Sequence, residues 1–185
     1  MTELKTLLNS LTQSYHSGGI HTSPETRLLL YALAASIPNA VILELGYDAG
    51  WTTELLVNTG KVVFGVDNLN EYPDTESVAI EKLRHYPNVI LENRESVEYL
   101  RSIGDDTFDF IFVDDSHDLG HVKEEAVEVR RVLKPGGYAA FHDTVVHHLW
   151  YVIGEVFHDW QRINLPALSP MDGRNYGLGL VRKPN

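Results

Sequence analysis

Five short apolar runs constrain the fold of this chain more than any other feature. They are Val41-Ile-Leu-Glu-Leu45, Val62-Val-Phe-Gly-Val66, Val89-Ile-Leu91, Phe108 to Val113 and Tyr138 to Phe141. The segments between them read as helices, over 52–58, 74–85, 96–103 and 119–133. Nearly continuous apolar strands that alternate with helices predict a parallel sheet, doubly wound, with helices on both faces. The end of the chain departs from this rhythm. A helix over 147–158 precedes strands at Gln161 to Leu165 and Tyr176 to Arg182, joined by ten residues that include Pro166, Pro170 and Gly173. Ten residues are too few for a parallel crossover, so the last strand should run antiparallel. The expectation is an α/β fold with a seven-stranded, mainly parallel sheet.

With 185 residues the chain suits one domain. Residues 1–38 supply N-terminal helices, 39–145 the βα core, and 146–185 a C-terminal helix and an antiparallel strand pair. Leu4, Leu7, Leu8 and Leu11 predict a first helix over about residues 2 to 15, and His16 to Thr22 a loop. Ser23-Pro24-Glu25 then starts a second helix, with serine at the N-cap, proline at N1 and an acid in the first turn. It stops near Pro38.

The formal net charge is −11, and no basic cluster exceeds Arg130-Arg131. A chain of this kind has no broad face for nucleic-acid phosphates. It has no cysteine, which excludes disulfides and thiolate zinc sites. No apolar run is long enough to span a membrane, and the polar start MTELKTLLNSLTQSYH lacks signal-peptide character. A cytoplasmic location is expected.

The first strand ends in Glu44-Leu-Gly-Tyr-Asp-Ala-Gly-Trp-Thr-Thr53. A strand, a glycine turn and a helix form the ligand-binding edge of open α/β sheets. Gly46 permits the turn, and Gly50 lets the helix begin close to a ligand. The spacing is G-x-x-x-G rather than the dinucleotide G-x-G-x-x-G. Glu44 and Asp48 would repel a pyrophosphate and suit a ligand with an ammonium and a sulfonium, which weakens a nicotinamide oxidoreductase reading. Asp67 follows Gly46 by twenty-one residues at the end of the second strand, where an acid accepts hydrogen bonds from ribose hydroxyls.

This segment resembles motif I of class I S-adenosylmethionine-dependent methyltransferases. The match is to the E-x-G-x-x-x-G-x-S/T form of catechol and caffeoyl-coenzyme A O-methyltransferase relatives. The Ser23-Pro24-Glu25 helix start and the final YGLGLVRKP strand resemble the same group, so the similarity spans roughly residues 20 to 183. It implies a Rossmann-like fold that binds S-adenosyl-L-methionine. Glu44, Gly46 and Thr52 would lie near the methionine part, Asp67 at the ribose, and Glu95 and Ser96 by the adenine. Tyr47, Gly50, Asn68 and Asp114 complete the expected cofactor-binding set.

A second constellation stands at the ends of the fourth and fifth strands: Asp114-Asp115-Ser116-His117 and His142-Asp143-Thr144. Acids brought together there repel one another, and a divalent cation would relieve the cost. Oxygens from Asp114 and Asp143 with a nitrogen from His142 leave coordination positions open for two substrate hydroxyls. Such a cation acts as a Lewis acid. His117, with an ordinary pKa of about 6.5, is suited to take the proton. Metal-dependent O-methyltransferases of the catechol type are similar here, and the D-x-x-H of macrolide sugar O-methyltransferases and cephalosporin-hydroxylase-like proteins resembles Asp114-Asp115-Ser116-His117. The resemblance implies magnesium or manganese and His117 as the base. His142 departs from the family's carboxylate, which favours manganese or another transition metal and leaves open a metal-independent enzyme with His117 or His142 as base. A non-catalytic S-adenosylmethionine binder is a further alternative.

Structural roles compete for several residues. Asp143 or Thr144 can cap the following helix, and His147 and His148 are expected in its first turn. Asp115 reads as a solvated neighbour, and His121 and His158 as helix-surface residues. Gly136-Gly137 reads as a turn, and Trp150, Tyr151 and Phe157 as core. Trp51 either packs under the glycine loop or stacks near the cofactor. The candidate selectivity segments, Tyr15 to Thr22, Asp143 to His148 and Pro166 to Asn175, are short, with Met171, Arg174 and Tyr176 as a wall or a dimer contact. A small hydroxylated substrate is expected, in a site that is open or completed by the second subunit of a homodimer.

Overall fold

Phe110 and Phe112 face one side of a central strand, Ile111 and Val113 face the other, and all four are buried. This two-residue period with apolar groups on both faces is what a sheet covered by helices on both sides requires. The computed structural model describes residues 22–70, 72–169 and 173–185. The helix expected over residues 2 to 15, most of the loop after it, and Met171 lie outside the described residues.

The elements in chain order are α1 (Pro24–Ser36), β1 (Val41–Leu45), α2 (Trp51–Val57), β2 (Val62–Asp67), α3 (Thr75–Leu83), β3 (Val89–Asn93), α4 (Ser96–Ser102), β4 (Phe108–Val113), α5 (Leu119–Val132), β5 (Leu133–His142), α6 (Leu149–Val156), β6 (Gln161–Leu165) and β7 (Leu178–Arg182). They build one seven-stranded sheet of order β3-β2-β1-β4-β5-β7-β6. Only β7 is reversed; it pairs antiparallel with both β5 and β6. The chain winds outward from β1 to β3, then returns to lay β4 on the other side of β1. The carboxyl ends of β1 and β4 therefore diverge into opposite connections, and a crevice opens between them. On one face the core joins Leu100, Val122, Val129 and Ile153 to Leu43, Ile111 and Phe141. On the other, Leu30, Ala34, Leu56 and Leu83 pack on Ile42, Val63, Phe110 and Phe112.

Ser23 caps α1 as its sequence implies, accepting the Thr26 N–H at 3.2 Å, with Pro24 in the first turn. The Lys134-Pro-Gly-Gly137 segment is not a separate turn ahead of β5. It belongs to the strand, as a bulge that shifts the register between Phe108–Leu133 and Phe110–Tyr138. Gly136 adopts φ +76°, and its N–H bonds to the Lys183 carbonyl, so this backbone stays paired across the irregularity. Among the helix residues expected in the core, Phe157 is buried but Tyr151 is 80 % exposed. The helix is four residues shorter than expected, running over 149–156, and Tyr151 stands on its outer face.

Gly46 fixes the floor of the crevice. It has φ +83°, and its N–H bonds to the Val66 carbonyl at 2.8 Å. A Cβ there would stand 2.1 Å from the Asp114 carbonyl oxygen and 2.9 Å from the Asp115 Cα. Both neighbours are backbone, so neither can rotate away. Gly46→Ala is expected to lose roughly 3 kcal/mol or more in urea unfolding, from left-handed strain together with overpacking. A variant within 0.5 kcal/mol of wild type would show that the loop does not seat on β4 in this way.

Candidate active site

The carboxyl ends of β1, β2, β4 and β5 surround a cleft of about 500 Å3. Its lining includes Glu44, Gly46, Tyr47, Thr52, Asp67, Asn68, Asp114, His117 and Asp143, which brings together most of the residues singled out from the sequence. Gly50 lies behind the wall with φ +74°, and its missing Cβ leaves room for Leu83 and Ala79 of α3. His142 sits behind the cleft, buried.

The glycine loop is held by Asp67. One carboxylate oxygen accepts the Asp48 N–H at 2.8 Å and the other the Leu69 N–H at 2.7 Å. These two bonds fix the loops after β1 and β2 against each other, and each oxygen keeps a further lone pair on a carboxylate that lines the cleft. Glu44 is 1 % exposed, and its Oε2 has no hydrogen-bond partner among the described residues. Burial, with Asp114 and Asp67 nearby, pushes its carboxyl up to about 8. An unanswered buried acid at the wall of a cleft fits a cationic ligand group. Trp51 also lines the cleft, with the Lys82 ammonium over its ring.

The second constellation forms a continuous chain of acids and imidazoles. His142 Nδ1 lies 3.0 Å from Asp114 Oδ1 and 3.0 Å from Asp143 Oδ1. The contact to Asp114 has hydrogen-bond geometry, whereas Asp143 Oδ1 has no hydrogen-bond partner among the described residues. The other oxygen of Asp143 lies 2.6 Å from His117 Nε2. Burial opposes charge on His142, but Asp114 and Asp143 outweigh it and push the imidazole up to about 10. Burial likewise opposes ionisation of Asp143, and the two histidines overcome it and keep that carboxyl well below the usual range. Ligand atoms of Asp114, His142 and Asp143 lie within 4.8 Å of one another, close enough for one cation. The fit is incomplete in one respect. A metal-bound imidazole normally donates its other N–H to a partner, and His142 Nε2 is buried with none among the described residues.

Neither Asp143 nor Thr144 caps the next helix. Asp143 adopts φ +58°, Thr144 Oγ1 donates to Asn164 Oδ1 at 2.7 Å, and α6 starts only after His148. His147 is accordingly not in the helix; it lies in the preceding turn, lines the cleft and stacks on His117 with ring centroids 4.0 Å apart. The tight reversal after Asp143 causes this, and periodicity cannot reveal it. Tyr72 and Thr75 also line the cleft, and their one sequence signal was proximity to Asp67. Tyr176 forms part of the wall, stacked at 6.2 Å over His142. Thr22 Oγ1 donates to Asp114 Oδ2 at 3.4 Å.

Glu95 and Ser96 stand outside this lining. Glu95 caps α4, accepting the Val97 and Glu98 N–H groups at 3.1 and 2.7 Å, and Ser96 Oγ lies 3.0 Å from His121 Nε2. Two surface readings need correction. His121 faces Asp115 and Glu125 rather than solvent, and Asp115 is mostly buried beside it. The i, i+4 spacing on α5 turns His121 and Glu125 to the same inward side.

The profile of a family described as "Methyltransferase domain" matches residues 43–144. Among curated proteins, the chain is 29% identical over 147 residues to the polyketide synthase-like protein Preu9 of Preussia isomera. That match covers 72% of this chain, which spans only about 7% of that protein's length. Among solved structures, the O-methyltransferase TomG of Streptomyces achromogenes, in complex with SAM, is 15% identical with a TM-score of 0.76. The match covers 100% of this chain and 91% of that one. An O-methyltransferase from Bacillus cereus in complex with SAH is 17% identical with a TM-score of 0.72, over 99% and 91% of the chains. The N-methyltransferase NodS of Bradyrhizobium japonicum is 19% identical with a TM-score of 0.70, over 87% and 96%. At these identities the structural likeness establishes the fold. Among the described residues, no helix is long and apolar enough to cross a membrane.

Glu44 has a thermodynamic signature. Its carboxyl is raised from 4.5 to about 8 in the folded chain, so folding retains a proton that the unfolded chain releases. Stability without ligand therefore falls as pH rises from about 4.5 to about 8, and stays reduced above. Glu44→Gln removes this penalty. It is expected to unfold at higher urea than wild type at pH 8.5, by on the order of 2 kcal/mol, and to converge with it near pH 4.5. Parallel stability curves for the two proteins would mean that Glu44 is not the buried acid described.

Proposed function

Because the chain belongs to the methyltransferase-domain family, we propose that it transfers a methyl group from S-adenosyl-L-methionine to a hydroxyl of a small molecule, assisted by a divalent cation. The observation that carries this reading is the shared cleft. One end holds the buried, unanswered Glu44 and the twice-bonded Asp67; the other holds Asp114, Asp143 and His117.

In this reading Glu44, backed by the Gly46 turn and Thr52, accepts the ammonium of the methionine part, and Asp67 accepts the ribose hydroxyls. Tyr47, Asn68 and Trp51 enclose the nucleoside. The adenine falls toward the start of α4, where Glu95 and Ser96 stand. Asp114, His142 and Asp143 hold the cation, which when bound supplies Lewis acidity and lowers the pKa of a hydroxyl beside it. His117 takes the acceptor's proton, oriented by the 2.6 Å contact to Asp143. Methyl transfer needs the acceptor oxygen in line with the methyl–sulfur bond, and the stacked His117 and His147 rings wall that approach.

Glu44, Asp48, Asp67, Asp114, Asp115 and Asp143 all line the cleft, and among the described residues no lysine or arginine does. Such a wall disfavours phosphorylated or carboxylated acceptors and favours neutral or cationic ones. Two of the three structural neighbours above are O-methyltransferases and one is an N-methyltransferase, so preference for oxygen rests on the acid–histidine end of the cleft. One observation favours a second reading. Asp114 and Asp143 hold the buried His142 in its charged form, so that the imidazolium answers both carboxylates without a metal. His117 and Asp143 would then serve as a metal-independent base pair.

Calorimetric titration with S-adenosylhomocysteine, with and without manganese or magnesium, separates these readings. Nucleoside binding with a metal signal that Asp143→Ala abolishes is the expected result. Nucleoside binding with no metal signal would leave the metal-independent enzyme, and no nucleoside binding would overturn the proposal. Under either enzymatic reading, His117→Ala is expected to lower kcat by about a hundredfold to ten-thousandfold and to leave nucleoside affinity unchanged.

A further inference from the structure

A second acid–histidine cluster lies behind the cleft, at the junction of β4, α4 and α5. His121 Nε2 is 3.6 Å from Asp115 Oδ2, 3.5 Å from Glu125 Oε1 and 3.6 Å from Glu95 Oε1. Glu125 is fully buried, and neither of its oxygens has a hydrogen-bond partner among the described residues. A buried carboxylate with both oxygens unanswered is costly, and here it points at a group that stops short of meeting it.

The spacing is informative. Charge-assisted hydrogen bonds between imidazole and carboxylate close to about 2.7–2.9 Å. Ligands placed tetrahedrally at zinc bond lengths of 2.0–2.2 Å stand roughly 3.4 Å from one another. The three imidazole–carboxylate separations match the second figure and not the first. Among the described residues, Ser96 Oγ, 3.0 Å from the same nitrogen, is the one hydrogen-bonded group, and it does not answer Glu125. Ligand atoms of Asp115, His121 and Glu125 lie within 4.8 Å of one another. Asp115, Glu125 and a neutral imidazole balance a divalent ion in the buried part of the cluster, and the one further negative charge, on Glu95, stands at the partly exposed rim.

We propose that Asp115, His121 and Glu125 form a second divalent-metal site, distinct from the Asp114–His142–Asp143 group, that takes zinc or a similar transition ion with Glu95 as the nearest fourth ligand. One imidazole nitrogen with carboxylate oxygens is a donor set that zinc accepts. The site is structural. It ties the first turns of α4 and α5 to the end of β4, and so fixes the Asp114–His117 segment that lines the cleft. Asp115 itself lines the cleft, which gives an ion a way in.

The test is zinc uptake by chelator-treated protein carrying Asp143→Ala, which removes a ligand of the cleft group alone. Calorimetry gives the affinity, and elemental analysis counts the bound ions. The expected result is that this protein takes up one zinc ion per chain and that adding Glu125→Gln abolishes it, with circular dichroism showing both chains folded. Should Glu125→Gln not fold, His121→Asn makes the same comparison. Equal zinc stoichiometry and affinity with and without the second substitution, or no zinc uptake by the Asp143→Ala chain, overturns the proposal. Either failure leaves the cleft reading intact, because nucleoside binding and the response of wild type to Asp143→Ala are measured separately.

Discussion

Carboxylates crowd the carboxyl-terminal edge of the sheet, and most of the site's organisation is a response to that crowding. The strand order puts the ends of β2, β1, β4 and β5 side by side, and each strand brings an acid to its end: Asp67, Glu44, Asp114 with Asp115, and Asp143. Like charges so placed raise one another's pKa unless something opposes them. The protein opposes them unequally. Asp67 receives two backbone N–H bonds, Asp143 receives two histidines, and Glu44 is left buried with one oxygen unanswered. The group left uncompensated in the chain alone is the one a ligand would compensate, so stability is sacrificed where binding is expected.

The sequence announces the parallel sheet because parallel strands are buried on both faces and must read as apolar runs, and it announces the reversed strand because a short connection forbids a crossover. The glycine loop and Asp67 are legible for a similar reason: backbone geometry dictates both residue type and place. The limits appear where tertiary contact decides. His121 carries no local mark of burial, since its acidic partners come from β4 and α4 as well as its own helix. His147 reads as helix until the reversal at Asp143, with φ +58°, delays α6 and turns the ring toward His117. Lys134-Pro-Gly-Gly137 has turn chemistry, yet the pairing of Leu133 and Tyr138 on either side of it and its own bonds to Lys183 absorb it into β5.

Rigidity links the two ends of the cleft. The Gly46 turn rests on the backbone of Asp114 and Asp115 so closely that a methyl group would not fit between them. The loop expected to hold the cofactor thus has its height set by the strand end expected to hold the acceptor. The Asp67 bonds to Asp48 and Leu69 brace the same loop from the β2 side. A methyl transfer that demands in-line geometry benefits from such an arrangement, because the donor and acceptor ends share one piece of backbone and cannot drift apart independently.

The adjacent pair Asp114-Asp115 concentrates this logic. Successive residues at the end of a strand point to opposite faces. Asp114 therefore reaches His142, toward β5, whereas Asp115 reaches His121, toward α4 and α5. Both carboxylates line the cleft and repel one another, and dividing them between two imidazoles gives each its own partner. With the proposed metal in place, the same division would let one strand end serve chemistry on one side and anchorage on the other. Any movement of the anchoring side would displace Asp114 and His117 together, since only Asp115 and Ser116 separate them.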